Sequence, residues 1–477
     1  MNTPPLASGP EGPSSLRPLL HTVLEALGEG ARSRGGPLPA GGPSEVAARV
    51  RAALGDVLPD EGDPEALRHL VRALAEGSAD PADPFCAAHL HCPPLAVATA
   101  ADLAASALNP SLDSWDQAPA ASELEAQVTR ALANEVYLEV LRGAGLHRHA
   151  APPRGATSPH RPAADHDALV TTGGTESNQL ALLLAREIHG PGVQLICGAN
   201  AHHSLPRAAW LLGMPEPVIL PTPTGTLDPT TLHTALHRGP ALVAATAGTT
   251  DAGLIDPLPE IARVCATHHA RLHIDAAYGG GLLFSDHHRP KLTGIEAADT
   301  VTLDLHKLGW QPVAAGLLAV RDKNDLTALH QRADYLNADD DTEAGLPDLL
   351  GRSLRTTRRP DVLKIAVTLK TLGRTGLGAL VDQVCERARE FAQLVHDHPG
   401  FELHAPPTIS TVLFRPASAT DEAVAAVRRK LLTDGRAVLG RARAAHRLWL
   451  KVTLLNPTTR PADLAGLLKL VEGTTPR

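Results

Sequence analysis

A lysine, an aspartate, a histidine and a glycine pair occur along this chain where their chemistry could be combined. Lys307 follows the mostly apolar run 300–305 and is one of only eight lysines in the chain. A lysine at the end of a buried strand is suited to forming a Schiff base with a carbonyl group. Taken alone, Lys307 is better interpreted as a lysine that reaches solvent from a strand end, and its partners reverse this interpretation.

Asp275 ends the apolar segment Leu272-His273-Ile274. A carboxylate that is partly desolvated at a strand end needs a cationic partner. A protonated pyridine nitrogen would serve, and a structural salt bridge to an arginine is the alternative.

The segment 171–178 contains Gly173 and Gly174 between a predicted strand and a predicted helix. Glycines let the backbone approach a ligand, and the free N–H groups at a helix start bind phosphate. The pattern is neither G-x-G-x-x-G nor a P-loop, which disfavours dinucleotides and NTP hydrolysis.

His202 and His203 follow another predicted strand, where an imidazole could stack on a flat cofactor or transfer a proton. His89, His91 and Cys92 have metal-ligand spacing but lack a convincing third ligand, so we predict no metal site. A phosphate cradle, a stacking histidine, a strand-end aspartate and a strand-end lysine together fit pyridoxal 5′-phosphate (PLP).

The elements that must position these residues alternate between short β-type runs and helices from about 165 to 321. Such alternation predicts an α/β fold with a mostly parallel sheet, whose ligands bind beyond the carboxyl ends of the strands. The predicted strands are 168–172, 195–197, 218–220, 241–246, 272–274 and 301–305. We expect a helical N-terminal segment at 1–80, a large domain at 81–360 and a small α+β domain at 361–477.

Composition excludes several classes of function. The net charge of -8 is spread along the chain without a basic patch, which argues against nucleic acid. No apolar run is long enough for a membrane span, and five scattered cysteines do not suggest disulfides or zinc. The N-terminus lacks the features of a signal peptide, so we expect a soluble cytoplasmic protein.

Several of these motifs, in unbroken order over residues 80–460, resemble the group II PLP-dependent decarboxylases of fold type I, which have a seven-stranded sheet. The motifs are 173–178, Ala201-His202, 245–250, 275–278 and 305–307. The resemblance implies a homodimer, in which residues 1–80 would form the dimerisation arm.

The resemblance also implies site roles. Lys307 would form the Schiff base with PLP, Asp275 would pair with the pyridine nitrogen, and His202 would stack on the ring. The remaining cofactor contacts would come from Gly174, Thr175, Thr246, Ala277 and His306. Tyr335, in an acidic segment expected to be a lid, would return a proton to the substrate carbon after CO2 has left.

Four further segments resemble L-2,4-diaminobutyrate decarboxylases: 89–94, 109–119, 306–312 and 450–457. Aromatic amino acid decarboxylases carry an aromatic residue where this chain has Asp113, and an acidic residue there could pair with a distal ammonium group. We therefore predict that Asp113, with Asp116 as a second candidate, selects a diamino acid. The alternatives are an aromatic amino acid decarboxylase, a decarboxylating aldehyde synthase and a non-catalytic PLP-fold binding protein. An aminotransferase is disfavoured, since no arginine pair is placed to hold a dicarboxylic substrate.

Overall fold

The computed structural model describes residues 4–137, 165–236, 239–331, 333 and 335–475. These residues form two compact units. The first unit contains residues up to 93, 106–109 and those from 383 onward, and the second contains 94–105 and 110–382. The N-terminal helices thus share a unit with the C-terminal elements. The division into three domains stays a prediction.

Eleven strands occur in the described residues, numbered in chain order. They are β1 Asp167–Thr171, β2 Gln194–Gly198, β3 Val218–Leu220, β4 Ala241–Thr246, β5 Arg271–Ala276, β6 Thr300–Asp304, β7 Gly316–Val320, β8 Phe401–Leu403, β9 Thr411–Pro416, β10 Gly440–Ala444 and β11 Arg447–Thr453.

The helices are numbered in the same way. They are α1 Gly12–Arg34, α2 Gly42–Leu54, α3 Ala66–Gly77, α4 Ala96–Leu108, α5 Pro119–Tyr137, α6 Gly174–His189, α7 Ser204–Leu211, α8 Pro229–Ala235, α9 Leu258–His268, α10 Leu305–Leu308, α11 Asp339–Glu343, α12 Val362–Asp397, α13 Asp421–Thr433 and α14 Pro461–Thr474.

The second unit is built on a seven-stranded sheet in the order β1-β7-β6-β5-β4-β2-β3. Strand β7 runs antiparallel to β1 and β6, and the other neighbouring pairs are parallel. This confirms the predicted mostly parallel sheet. The central strands β4, β5 and β6 are completely buried and rich in apolar residues, as expected of parallel strands covered by helices.

Helix α6 is the element that links the sheet to the glycine pair. Its apolar residues pack into two cores, one around Leu182 and Leu195 and the other around Leu180 and Leu318. The helix begins at Gly174, directly after β1 and a short turn. Packing on the sheet therefore holds the start of α6 at the strand ends.

The first unit contains a second sheet, in the antiparallel order β10-β11-β9-β8, with α13 and α14. Its core includes Phe391, Phe414 and Leu450. The backbone N–H of Ala87 donates to the carbonyl of Val438, so the segment after α3 is attached to this sheet. No helix of the described residues is long and apolar enough to cross a membrane.

Several local predictions were wrong. The sequence did not indicate β7, β8 or β10. In contrast, the two long helices that the pattern after residue 360 predicts are present within α12, joined at Gly373, where φ is 62°. Lys307 lies in the one-turn helix α10 rather than at the end of β6 itself.

Candidate active site

The strands β4, β5 and β6 are adjacent and parallel, so their carboxyl ends bring distant residues together. Thr246 at the end of β4 is in register with Asp275 on β5, and Asp275 is in register with Thr302 on β6. One turn beyond β6 is Lys307. The site expected from sequence therefore forms at one edge of the sheet.

Lys307 is held by a carboxylate that the sequence analysis did not single out. Its Nζ lies 2.9 Å from Oδ2 of Asp304, the last residue of β6, and only 3% of the Asp304 side chain is exposed. His306 Nε2 lies 3.5 Å from the same oxygen. Burial lowers the pKa of His306, and the Asp304 carboxylate opposes this shift. Asp304 thus orients both basic side chains.

The glycine pair lies against these residues. A Cβ atom at Gly173 would come within 2.9 Å of His306 Cε1, and one at Gly174 within 3.0 Å of the Ala277 Cβ and 3.2 Å of Asp304 Oδ2. Gly173 also has a φ of 152°, which side chains rarely adopt. The first turn of α6, which includes Thr175, begins at this point. Gly173 and Gly174, which together form the predicted phosphate cradle, therefore both have to be glycine for reasons of space. Gly173 also has to be glycine because of its backbone conformation.

Asp275 is also buried, with 5% of the residue exposed. Its Oδ2 accepts a hydrogen bond of 2.8 Å from Asn178 Nδ2, and its Oδ1 accepts one of 3.1 Å from the backbone N–H of Ala277. Both donors are neutral. Within the described residues the carboxylate makes no salt bridge, which argues against the structural ion pair that the sequence left open.

His202 is half-buried on the loop before α7, and its Nδ1 lies 2.8 Å from Ser204 Oγ. Burial lowers the pKa of His202, while the negative charge of Asp275 opposes this shift and the positive charge of Lys307 reinforces it. The imidazole is therefore near both residues. Its neighbour His203 is exposed.

The arrangement fits PLP. The hydroxyl of Thr246 is buried without a hydrogen-bond partner in the described residues, as expected of a group that awaits a polar ligand. The crowded glycine pair at the start of α6 suits a phosphate, and Asp275 offers a negative charge to a pyridinium. Lys307 supplies the amine.

Two predicted residues are not brought into this group. Asp113 is 8% exposed and lies between α4 and α5, in a segment that is fixed by a hydrogen bond from the backbone N–H of Leu112 to the carbonyl of Arg358. Tyr335 is 82% exposed in the segment before α11. Their roles stay predictions.

Sequence reasoning missed Asp304, Asn178 and His273. Asp304 is three residues before Lys307, but nothing in its type distinguishes it from a surface aspartate. His273 could have been found, because residues two apart on a strand share a face and His273 precedes Asp275 by two. Among the described residues no cluster of histidine, cysteine and carboxylate side chains could hold a metal ion.

Comparisons with known proteins agree with this geometry. Residues 51–417 match the family described as the pyridoxal-dependent decarboxylase conserved domain. An L-2,4-diaminobutyrate decarboxylase of Rhizobium meliloti (strain 1021) is 38% identical over 439 residues, which cover 88% of this chain and 84% of that protein. One from Acinetobacter baumannii is 31% identical over 449 residues, covering 86% and 83%.

Among solved structures, the glutamate decarboxylase domain of a Vibrio parahaemolyticus protein described as diaminobutyrate-pyruvate transaminase and L-2,4-diaminobutyrate decarboxylase is similar. It has a TM-score of 0.81 and 28% identity, and the match covers 98% of this chain and 97% of that one. The fold-type-I prediction is thereby confirmed. The chain belongs to the pyridoxal-dependent decarboxylases and is a PLP-dependent amino acid decarboxylase.

Proposed function

We propose that this enzyme converts L-2,4-diaminobutyrate to 1,3-diaminopropane and CO2. The observation that carries the substrate assignment is the Asp113 carboxylate. It is buried, and its Oδ1 has no hydrogen-bond partner in the described residues. A buried charge of this kind needs a counter-ion, and the distal ammonium of a diamino acid would supply one. Two relatives that match most of the chain are named for this substrate.

The contacts of Asp116 make it a weaker candidate than Asp113. Asp116 is exposed, and its Oδ1 already accepts a hydrogen bond of 2.5 Å from Ser114 Oγ. Ser114 accepts a further one from Gln117 Nε2 at 2.8 Å. The side chain of Asp116 therefore stabilises the local turn. Of the two carboxylates, that of Asp113 is the better candidate for binding a ligand.

In the proposed site, the start of α6 with Gly173, Gly174 and Thr175 would hold the phosphate of PLP together with His306. Thr246 would contact the ring hydroxyl. When bound, PLP supplies a carbonyl for amines and an electron-withdrawing ring that stabilises the carbanion left by CO2.

The other groups of the chain bind, orient and transfer protons. Lys307 would hold the cofactor through its Nζ and would give way to the substrate amine, and Asp304 orients this Nζ at 2.9 Å. Asp275 would keep a proton on the ring nitrogen, His202 would cover one face of the ring, and Ala277 would contact the other face. Tyr335 donates a proton to the α carbon from a lid that also excludes water.

We also propose that the enzyme is a homodimer, in which Asp113 and Tyr335 can reach the site of the partner subunit. Helices α1 and α3 leave Leu24 and Leu74 exposed by 67% and 69%, as expected of an interface that a second copy covers. Sedimentation at micromolar concentration distinguishes a dimer from a monomer, and a monomer that is fully active would refute the proposal.

The substrate is tested by measuring amine and CO2 release from a panel of L-2,4-diaminobutyrate, L-ornithine, L-lysine, L-glutamate and L-DOPA. We expect the highest kcat/KM for L-2,4-diaminobutyrate. One methylene changes binding by about 1–3 kcal/mol, so L-ornithine should be roughly 10- to 200-fold poorer. Preference for L-DOPA or L-glutamate would overturn the substrate while leaving the decarboxylase chemistry intact.

A further inference from the structure

A chain of buried hydrogen bonds connects Asp275 to neighbouring side chains of β5, β6 and α6. His273 and Asp275 are two residues apart on β5 and share one face of the sheet, as do Thr300 and Thr302 on β6. The register pairs His273 with Thr300 and Asp275 with Thr302. Asn178 of α6 lies over these four side chains, and all five residues are at most 5% exposed.

The carboxylate determines the orientation of the Asn178 amide. An ionised carboxylate only accepts hydrogen bonds, so Asn178 must direct Nδ2 to Asp275 Oδ2, at 2.8 Å. Oδ1 of the amide then accepts from Thr302 Oγ1 at 2.9 Å and from His273 Nε2 at 3.0 Å. The amide is held on both sides and cannot rotate without losing these bonds.

The direction of these hydrogen bonds also determines which ring nitrogen of His273 carries the proton. Its Nε2 must carry a proton to donate to Asn178. Its Nδ1 lies 2.9 Å from Thr300 Oγ1, which has a proton to donate. Burial lowers the pKa of His273 to about 4, with Asp275 opposing, so the ring is neutral near pH 7. His273 therefore carries no positive charge that would compete with the cofactor for the Asp275 carboxylate.

A branch of the chain reaches His202. The second N–H of Asn178 Nδ2 donates to Ser204 Oγ at 2.9 Å. Because Ser204 Oγ accepts there, its own proton is free for His202 Nδ1 at 2.8 Å, and the backbone N–H of Ser204 points to the same nitrogen at 3.3 Å. Nδ1 is thus an acceptor, and the neutral His202 ring carries its proton on Nε2.

We propose that Asn178, held by His273 and Thr302, is a positioning residue that aims the Asp275 carboxylate at the pyridine nitrogen of PLP and fixes the His202 tautomer. This inference rests on the proposed contact between Asp275 and the ring nitrogen. Neutral donors orient the carboxylate and hydrogen-bond its charged form without neutralising it, so its negative charge stays available to a pyridinium.

The proposal is tested by the preference of the apoenzyme for PLP over 1-deaza-pyridoxal phosphate, in which a carbon replaces the ring nitrogen. Dissociation constants for both are measured by equilibrium dialysis. Wild type should bind PLP more tightly, because only PLP carries the nitrogen that Asp275 recognises. Asn178→Ala should reduce this preference about tenfold, the equivalent of one charged hydrogen bond. His273→Phe should act similarly, whereas His273→Gln retains a donor to Asn178 and should keep most of the preference.

Thr302→Val is nearly isosteric, so it should fold even if the larger substitutions do not. It should reduce the preference for PLP about threefold. The matched control is Thr411→Val, a buried strand threonine of the other unit that bonds to Thr453, and it should leave the preference unchanged. An unchanged preference in both Asn178→Ala and Thr302→Val would overturn the inference.

Asp275→Asn tests the contact between Asp275 and the ring nitrogen independently of the positioning role of Asn178. If it leaves the preference unchanged, the contact of Asp275 with the ring nitrogen is refuted. If it abolishes the preference while the Asn178, His273 and Thr302 variants keep it, Asp275 recognises the nitrogen but needs no positioning, and only the inference about Asn178 is refuted.

Discussion

At the scale of single residues, the charge of Asp113 should decide which amino acids are substrates. Asp113→Asn keeps the shape of the side chain and removes the charge. We expect kcat/KM for L-2,4-diaminobutyrate to fall by a hundredfold or more, since breaking a buried ion pair costs about 3–5 kcal/mol. Steady-state kinetics with L-2,4-diaminobutyrate provide the measurement.

Asp116→Asn is the matched control, because Asp116 is exposed and bonded to Ser114. It should change kcat/KM by less than about threefold, as surface substitutions usually do. Equal effects of the two variants would mean that the turn, rather than the Asp113 charge, sets specificity.

The grouping of single residues could be predicted from sequence where residue type and strand position coincide, and their roles stay predictions. Lys307, Asp275 and the glycine pair lie at strand ends or helix starts, and the structure groups them as predicted. Asn178 could not be assigned, because its role depends on partners far along the chain: the Asn178–Thr302 bond spans 124 residues. Patterns within one segment do not encode such distances. Asp304 could not be assigned, because its residue type does not distinguish it from a surface aspartate.

At the scale of elements, the junction between β1 and α6 requires glycine. Gly174→Ala would place its Cβ within 3.0 Å of the Ala277 Cβ and 3.2 Å of Asp304 Oδ2. Because these neighbours are buried and cannot withdraw freely, we expect PLP affinity to fall at least tenfold, measured by equilibrium dialysis. Gly192→Ala is the control, since a Cβ there meets nothing within 4 Å. Unchanged affinity in Gly174→Ala would show that the cradle does not hold the phosphate.

The elements themselves were predictable where the apolar pattern is strong. Val218–Leu220 and Ala241–Thr246 have the predicted bounds. Strand β10, Gly440–Ala444, was missed because it alternates arginine with glycine and alanine rather than with large apolar residues. The break in α12 at Gly373, where φ is 62°, agrees with the two helices that the pattern after residue 360 predicts.

At the scale of the whole molecule, acid should destabilise the apoenzyme before its carboxylates titrate. The folded-state pKa of His273 is about 4, against 6.5 for an exposed histidine, so between these values the unfolded chain binds more protons. Stability is therefore complete above pH 6.5 and is lost as the pH falls towards 4. Burial also lowers the pKa of His89, His202 and His306, which adds in the same direction.

Between pH 7.5 and pH 5.0, His273 alone should remove about 2 kcal/mol of stability. Calorimetric melting temperatures of the apoenzyme at the two pH values measure the loss, and His273→Gln, which cannot take up a proton, should lose less on acidification than wild type. An identical decrease in both proteins would contradict a neutral buried His273.

The strand order also has a consequence for the time at which the enzyme becomes competent. Strand β1 is the first of the large sheet to leave the ribosome, yet its neighbour in the sheet is β7, the last. Pairings between segments so far apart form slowly, because a long loop must close before any contact is gained. The glycine pair that directly follows β1 therefore reaches its final place only when residues 316–320 have been made. We expect the nascent chain to acquire its cofactor late, after all seven strands of the large sheet have been synthesised.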